Sequence, residues 1–254
     1  MQPSEVGERL VAAVRAAPGD DVAWQLYADW LQEQGDWRGE ALALHLQLQA
    51  APPEERRALE RRYAERYPPE RCLDGLPRKH WEHLGIAVWR GGFATAVTLH
   101  GAVGVRALAA LCAHPAGRLL SKVTVRGLRD DIAPLVEALA LAQPAALDLR
   151  ESQLGPDGAR TLAASRPLVR LESLALSRNT FGDEGAMALA ASSALPRLAQ
   201  LDLRTNAIGP EGAHALAAST ALAQRTSIDL GGNDIGDAGR AAIAASPRGG
   251  RVLL

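Results

Sequence analysis

The sequence has few cysteines and few lysines. Its two cysteines, Cys72 and Cys112, form no C-x-x-C pair, and no histidine accompanies them at a spacing typical of a metal site. The sequence therefore contains no cysteine-based metal motif. We expect both to be reduced thiols, with a single disulfide as the open alternative. Lys79 and Lys122 are the only lysines, and this bias towards arginine is typical of a GC-rich genome.

The sequence also lacks a long apolar run. Nothing in it approaches the roughly 18 apolar residues of a membrane helix. Charges interrupt any apolar stretch near the N-terminus, which is unlike a signal peptide, at Glu5, Glu8, Arg9 and Arg15. A hydrophobic fraction of 47% and a net charge of −1 indicate a globular chain without a polyanion-binding tail. We therefore predict a cytoplasmic protein that binds neither membranes nor nucleic acid.

Catalytic motifs are absent as well. The chain has no G-x-S-x-G element, phosphate-binding loop or dinucleotide fingerprint. His80 and His83 could share one helix face, but no third ligand accompanies them and their order is not H-E-x-x-H. The sequence predicts no cofactor, no metal site and no enzyme activity. An enzyme would have to draw its chemistry from residues 1–90.

What the sequence has is a strict repeat in its C-terminal part. Asparagine or serine recurs every 27 residues, at Ser152, Asn179, Asn206 and Asn233. Two apolar columns share this period: Leu147, Leu174, Leu201 and Ile228, then Leu149, Leu176, Leu203 and Leu230. A period of this length indicates a solenoid of stacked units.

Each unit predicts a strand, a turn and a helix. The apolar pair alternates as in a short strand, and the asparagine amide can satisfy backbone groups in the turn after it. We expect stacked asparagines to form a hydrogen-bonded ladder. Glycines then lead into a helix whose first turn is acidic, at Asp157, Asp183, Glu184, Glu211 and Asp237. Serines that close these helices are predicted to be structural, at Ser165, Ser192, Ser219 and Ser246.

The pattern L-x-x-L-x-L-x-x-N, clearest over 171–179 and 198–206, resembles the ribonuclease-inhibitor-like class of leucine-rich repeats. The resemblance implies an α/β solenoid over residues 91–254, a horseshoe with parallel strands inside and helices outside. Segments near Val97 and Val123 lack the asparagine and the glycines. We interpret them as degenerate first repeats and expect about six strands in all.

Residues 1–90 differ in composition, because all five Trp and all three Tyr lie there. Apolar residues at helical spacing predict helices over 4–16, 21–34, 38–50 and 54–66. Ser4 is the expected N-cap of the first helix, and Gly35 is expected to end the second. Arg38 is the expected partner of the Asp29 carboxylate. The sequence thus predicts an all-helical domain, 1–90, that caps the end of the solenoid.

A second resemblance concerns this N-terminal half. The segment WQLYADWLQEQGDWRGE at 24–40 is similar to the repeat-companion domain found ahead of leucine-rich repeats in myxobacteria and planctomycetes. WRGGF at 89–93, followed by Val97 and Leu99, is similar to the start of the repeats in those proteins. The resemblance implies a bacterial origin and carries no known activity.

The concave strand face is the predicted functional surface. Strand alternation turns columns of residues towards it, and its charged members are our candidate partner-binding residues: Asp148, Arg150, Glu151, Arg178, Asp202, Arg204 and Asp229. Alternatively, these charges only neutralise one another across a solvated sheet, which contributes little stability. The columns contain no aromatic residue, which argues against a small, tight hot spot.

The sequence therefore favours a non-catalytic module that binds a protein partner through its concave face. The alternative is a structural or self-assembling scaffold component that uses the C-terminal edge or the Trp-rich N-terminal domain. The repeat period places Val252 in register with Leu171 and Leu198, just ahead of a further strand. We expect an apolar edge there that could bind a partner or a second copy.

Overall fold

The computed structural model describes residues 3–77, 84–128, 132–165, 168–222, 225–246 and 251–254. The histidine pair His80 and His83 lies outside the described residues. Within these ranges, no group of three or more metal-ligating side chains is gathered. None of the described helices is both long and apolar enough to cross a membrane.

The chain is helical from Pro3 to Cys72. The helices are α1 (Pro3–Ala16), α2 (Asp21–Glu33), α3 (Trp37–Ala50), α4 (Pro53–Arg66) and α5 (Pro69–Cys72). The side chains of Asp20 and Asp36 cap α2 and α3 by accepting a backbone N–H two residues on. Gly35 follows α2 with a φ of 72°, as expected of the residue that ends it. Ser4 lies inside α1 and is not its cap, because the helix already begins one residue earlier.

One sheet runs through the rest of the described chain. Its eight strands there follow the order of the sequence. They are β1 (Leu84–Arg90), β2 (Phe93–His100), β3 (Lys122–Arg126), β4 (Ala146–Asp148), β5 (Ser173–Ala175), β6 (Gln200–Asp202), β7 (Ser227–Asp229) and β8 (Val252–Leu253). All neighbours from β2 onward are parallel. Leu147, Leu174 and Leu201 lie side by side, which confirms the first apolar column.

The expectation of an all-helical segment 1–90 is wrong at its end. Residues 84–90 form β1, which pairs antiparallel with β2. The backbone N–H and C=O groups on the outer side of β2 need partners, and a hairpin supplies them. Gly91 and Gly92 form the tight turn with φ values of 55° and 83°. Two glycines between apolar runs are a hairpin signal that the sequence already contained.

The expected register at the C-terminal edge is also wrong. Val252 pairs with Ile228, and Leu253 pairs with Asp229. The 27-residue period would bring the partner of Ile228 to position 255, so β8 forms three residues earlier (255 − 252 = 3). The spacing of 24 residues between these partners equals that between Val123 and Leu147. With β1 and β8, the described sheet has more strands than the six expected.

Helices alternate with the strands and cover one face of the sheet. They are α6 (Gly101–Ala113), α7 (Ala133–Ala142), α8 (Gly155–Ala163), α9 (Gly182–Ala190), α10 (Pro210–Ala218) and α11 (Gly236–Ala245), with a 3-10 turn at Pro115–Gly117. Leu162, Leu189 and Leu216 pack into the same core as the strand leucines. The predicted acidic first turns are confirmed in α8 to α11.

Hydrogen bonds between neighbouring repeats fix the helix ends. The Asp183 carboxylate accepts the N–H groups of Gly209 (2.8 Å) and Gly212 (2.7 Å) in the next repeat. The hydroxyl of Ser192 donates to the Ala163 carbonyl of the previous repeat at 2.8 Å. These contacts confirm a structural role for Ser192. They also link the ends of α8 and α9 and of α9 and α10.

The N-terminal helices share a core with the repeats. Trp24 and Tyr27 of α2 pack in one buried cluster with Phe93 of β2 and with Leu119. The guanidinium of Arg90 lies 4.2 Å from the Trp24 ring centroid. A hydrophobic cluster that draws on both parts couples their stability.

The charged residues of the N-terminal segment pair locally. Arg38 forms an ion pair with Asp36 at 3.2 Å, so the expected pair with Asp29 is wrong. Asp29 accepts a hydrogen bond from Gln25 at 2.8 Å. Burial raises the pKa of both Cys72 and Cys112 to about 11, so these free thiols are poorly suited to nucleophilic chemistry near neutral pH.

Candidate functional site

The asparagine ladder holds the turn after each strand. The Oδ1 atom of Asn206 accepts the Asn179 N–H at 2.8 Å, and its Nδ2 atom donates to the carbonyls of Leu176 (3.0 Å) and Leu203 (2.9 Å). Asn179 bonds in the same way to the turn that contains Ser152. The ladder is therefore confirmed, and each amide serves both its own repeat and the preceding one.

The asparagine ladder accompanies a fixed backbone conformation of the turn residues. One column of this turn adopts left-handed φ values of 59°, 60°, 54° and 71°, at Glu151, Arg178, Thr205 and Gly232 respectively. These residues lie after the strands, not within them. Glutamate, arginine, threonine and glycine thus share one backbone conformation in these four turns.

We call the side of the sheet opposite the leucine columns the open face. At its centre, Asp148 is clamped between two guanidiniums. Arg126 donates to it from Nη1 (3.0 Å) and Nη2 (3.1 Å), and Arg150 donates from Nε (3.0 Å) and Nη2 (2.7 Å). Both carboxylate oxygens are thus shared, and the two arginines are fixed side by side.

The same motif recurs on β6. Arg204 donates to Asp202 from Nε (2.9 Å) and Nη2 (2.8 Å), and its Nε lies 3.5 Å from Asp229 on β7. At the rim, Arg178 pairs with Glu151 at 2.9 Å. The structure thus joins all seven candidate residues in ion pairs along β4 to β7. Their role in binding stays a prediction.

These side chains border an open groove of about 640 Å³. Its lining consists of Arg126, Arg150, Glu151, Ser177, Arg178, Arg204, Thr205, Gly231 and Gly232. Four of the seven candidates line it, while Asp148, Asp202 and Asp229 hold the arginines from beneath. The lining is polar and has no aromatic residue, so it is suited to hydrogen bonding with a polar partner.

Arg126 is the lining residue that sequence reasoning missed. β3 pairs with β4 so that Thr124 lies beside Asp148, and two residues on, Arg126 falls in the column of Arg150. A spacing of 24 residues separates these arginines in the chain. The period of 27 residues that aligns the later repeats does not align this one. Aligning the strand residues Val123 and Leu147, which are also 24 residues apart, would have placed Arg126 beside Arg150.

The open face presents guanidinium more than carboxylate. The side chains of Arg126, Arg150 and Arg204 are 39%, 43% and 50% exposed. Those of Asp148 and Asp202 are 11% and 20% exposed. The four arginines and four carboxylates of the network cancel in formal charge, but around Asp148 and Asp202 the guanidinium is the more exposed member of each pair.

Acid is expected to remove the stabilisation that Asp148 supplies. Burial alone would raise the pKa of this carboxyl, but hydrogen bonds from Arg150 and Arg126 outweigh it and lower the pKa from 3.8 to about 2. Because the folded-state value is the lower one, the stabilisation is present above about pH 4 and is lost as the pH falls through about 2. Between about pH 5 and pH 2, the wild type should lose about 1–2 kcal/mol more than Asp148→Asn, with allowance for screening of the half-exposed arginines. Urea denaturation of both proteins across this range measures the difference, and parallel stability curves would contradict it.

A sequence profile of the family described as "Leucine Rich repeat" matches residues 171–190, 198–217 and 226–244. The matches coincide with β5, β6 and β7 and the helices that come after them. A search of curated proteins finds no match to this chain. Residues 171–244 therefore contain leucine-rich repeats, and the parallel strands from β2 onward with their helices form an α/β solenoid.

Proposed function

We propose that the protein is a non-catalytic interaction module that binds a protein partner through the open face of its repeats. Leucine-rich repeats generally mediate protein–protein interaction, and solenoids of this kind use extended binding surfaces. The observation that carries the proposal is the row of arginines held in place by less exposed carboxylates. Side chains already fixed in position lose less conformational entropy when a partner binds.

We extend the proposal to the shape of the repeats and to the N-terminal segment. Neighbouring strands lie about 4.8 Å apart whereas packed helices need about 8–10 Å, so a stack of such repeats curves with its strands inside. We therefore take the open face as the concave face of a horseshoe of ribonuclease-inhibitor-like repeats over 91–254. Residues 1–90 would be the companion domain that caps it, in a bacterial cytoplasmic protein.

Charge reversal on the open face is expected to weaken partner capture. Arg204→Glu replaces a groove-lining donor with a carboxylate beside Asp202, and Asp202→Arg removes the support of Arg204. Affinity capture from the native cell, quantified by mass spectrometry, should recover at least about tenfold less of the partner with either variant, since a tenfold change needs only about 1.4 kcal/mol.

A charge reversal elsewhere provides the control. Arg240 is exposed on helix α11, on the other side of the sheet, and Arg240→Glu makes the same charge change. Capture by this variant should match that of the wild type, and thermal melting should show that all variants fold. Undiminished capture by both Arg204→Glu and Asp202→Arg would count against the proposal.

The scaffold alternative rests on the C-terminal edge. Leu253 and Leu254 are 55% and 50% exposed, and β8 pairs with β7 alone within the described sheet. An apolar edge strand of this kind can pair with another copy. Light scattering of the full chain and of a chain lacking 252–254 separates the two proposals, because monomers at every concentration exclude self-assembly.

A further inference from the structure

The row of arginines on the open face has a gap at β5. In the column that holds Arg150 and Arg204, the intervening position is Ser177, and Ala175 replaces the aspartate that precedes each arginine. β5 therefore contributes neither a guanidinium nor a carboxylate. We call this gap, bounded by Arg150, Ala175, Ser177 and Arg204, the Ser177 notch.

Two guanidiniums flank the notch. Adjacent strands lie about 4.8 Å apart, so β4 and β6 stand roughly 10 Å apart across it. The hydrogen bond to Asp148 is the largest influence on the pKa of Arg150 and raises it; from across the notch, Asp202 also raises this pKa and Arg204 lowers it. Charges on the two sides of the notch therefore act on each other through it.

Unused hydrogen-bond donors remain on both sides. Arg150 bonds to Asp148 through Nε and Nη2, and Arg204 bonds to Asp202 through the same two atoms. The Nη1 group of each is left without a hydrogen bond to the described part of the chain. Since a planar guanidinium has five N–H donors and matches a carboxylate closely, each arginine can hold its aspartate and still bind a second anion.

We propose that the Ser177 notch binds a side-chain carboxylate from an acidic, extended segment of the protein partner. The inference rests on the proposed function and adds the chemistry of the partner. Arg126 ends β3 and lies roughly 14 Å from Arg204, two residues after β6, a span that about four residues of an extended peptide cover. A segment with a cluster of acidic residues can thus contact the notch and Arg126 together.

A protein segment fits this groove better than a nucleic acid. Asp148, Asp202 and Asp229 underlie the arginines and Glu151 stands at the rim, so a continuous row of phosphates would meet several carboxylates. Single-stranded nucleic acids also rely on aromatic side chains for base stacking, and the groove lining contains none. Isolated carboxylates on a peptide can select the guanidiniums and avoid the acids.

The test measures how tightly the full chain binds a fluorescein-labelled peptide that contains five consecutive glutamates. Binding is followed by fluorescence anisotropy at about 50 mM salt, where salt screens charge interactions only weakly. Ser177→Glu places a carboxylate in the notch within the chain itself. Arginine stands at the corresponding position after β4 and after β6, whereas Ser177 is 8% exposed, so thermal melting must show that Ser177→Glu folds. We expect the Kd of the peptide to rise at least about tenfold, the effect of losing one charged hydrogen bond.

Two matched variants distinguish the effect of the added charge from the effects of its position and of side-chain size. Gln200→Glu adds the same charge at an exposed position at the start of β6, four residues from Arg204, and the Kd should rise less than with Ser177→Glu, because repulsion between charges falls with distance. Ser177→Gln adds the same bulk without the charge, and its loss should be smaller than that of Ser177→Glu. On the wild-type chain, the matching glutamine peptide should bind at least about tenfold more weakly than the glutamate peptide.

Three results would overturn the inference: equal affinity for the glutamate and glutamine peptides, equal effects of Ser177→Glu and Gln200→Glu, or tighter binding of an oligouridylate of the same charge. The peptide comparison needs no variant, so a folding defect in Ser177→Glu leaves it decisive. If the glutamate peptide fails to bind while Arg204→Glu still weakens partner capture, the notch inference fails and the proposed function stands.

Discussion

Asn206→Ala is expected to lower the free energy of unfolding by about 3–5 kcal/mol. The side chain is fully buried and bonds to the Asn179 N–H and to the carbonyls of Leu176 and Leu203. Alanine would leave these backbone groups without partners inside the fold, and each such group costs about 1–3 kcal/mol. Urea denaturation of the full chain, followed by far-ultraviolet circular dichroism, measures the loss.

Two variants bracket this effect. Asp234→Ala removes an exposed polar side chain and should change the free energy of unfolding by less than about 0.5 kcal/mol. Asn206→Ser introduces the residue that stands at Ser152 in the same column, and its loss should be intermediate because a hydroxyl replaces fewer of the bonds. If Asn206→Ala behaves like Asp234→Ala, the ladder is not a source of stability.

Trp24→Ala is expected to lower the free energy of unfolding by about 3–5 kcal/mol, as for other buried tryptophans. The ring is 1% exposed and packs with Phe93 and Leu119 of the repeat part. Its Nε1 donates to the Pro18 carbonyl at 2.9 Å, and the Arg90 guanidinium stacks on its face. The variant loses all of these contacts at the place where the two parts of the chain meet.

The expected consequence reaches beyond the N-terminal helices. Because one cluster spans both parts, amide hydrogen exchange in β2 should become faster in Trp24→Ala. Val22→Ala, on the same helix but at a position 67% exposed, should leave exchange and the denaturation midpoint unchanged. Unaltered exchange in β2 of Trp24→Ala would show that the helices and the repeats unfold independently.

The repeated part of the fold was predictable because the same physical demand recurs at every unit. The leucines of the strand columns, the amide of Asn179 and the acidic first turns solve identical problems of burial and hydrogen bonding in each repeat. Self-similarity then supplies the tertiary contacts, because the period determines which residues become neighbours. The strand columns and the ladder were confirmed for that reason.

The ends of the sheet and one member of the groove were not predictable in this way. β1 runs antiparallel and β8 begins three residues early, so neither obeys the period. Arg126 was not predicted because its repeat is 24 residues from the next one instead of 27. The expected pair of Asp29 with Arg38 failed because Asp36, two residues from Arg38, was already the N-cap of its helix and lay within reach. Local geometry at single positions decides such pairs.

The direction of the asparagine ladder has a consequence for biosynthesis. Asn179 satisfies the N–H groups of Ser152 and Leu154 in the turn before it, so the side chain that completes a turn is supplied by the next repeat to be translated. At about 5–20 residues per second, a ribosome needs seconds to deliver the 27 residues that separate these bonded positions. In the repeats that carry the ladder, a turn can therefore be completed only after the following repeat has been translated.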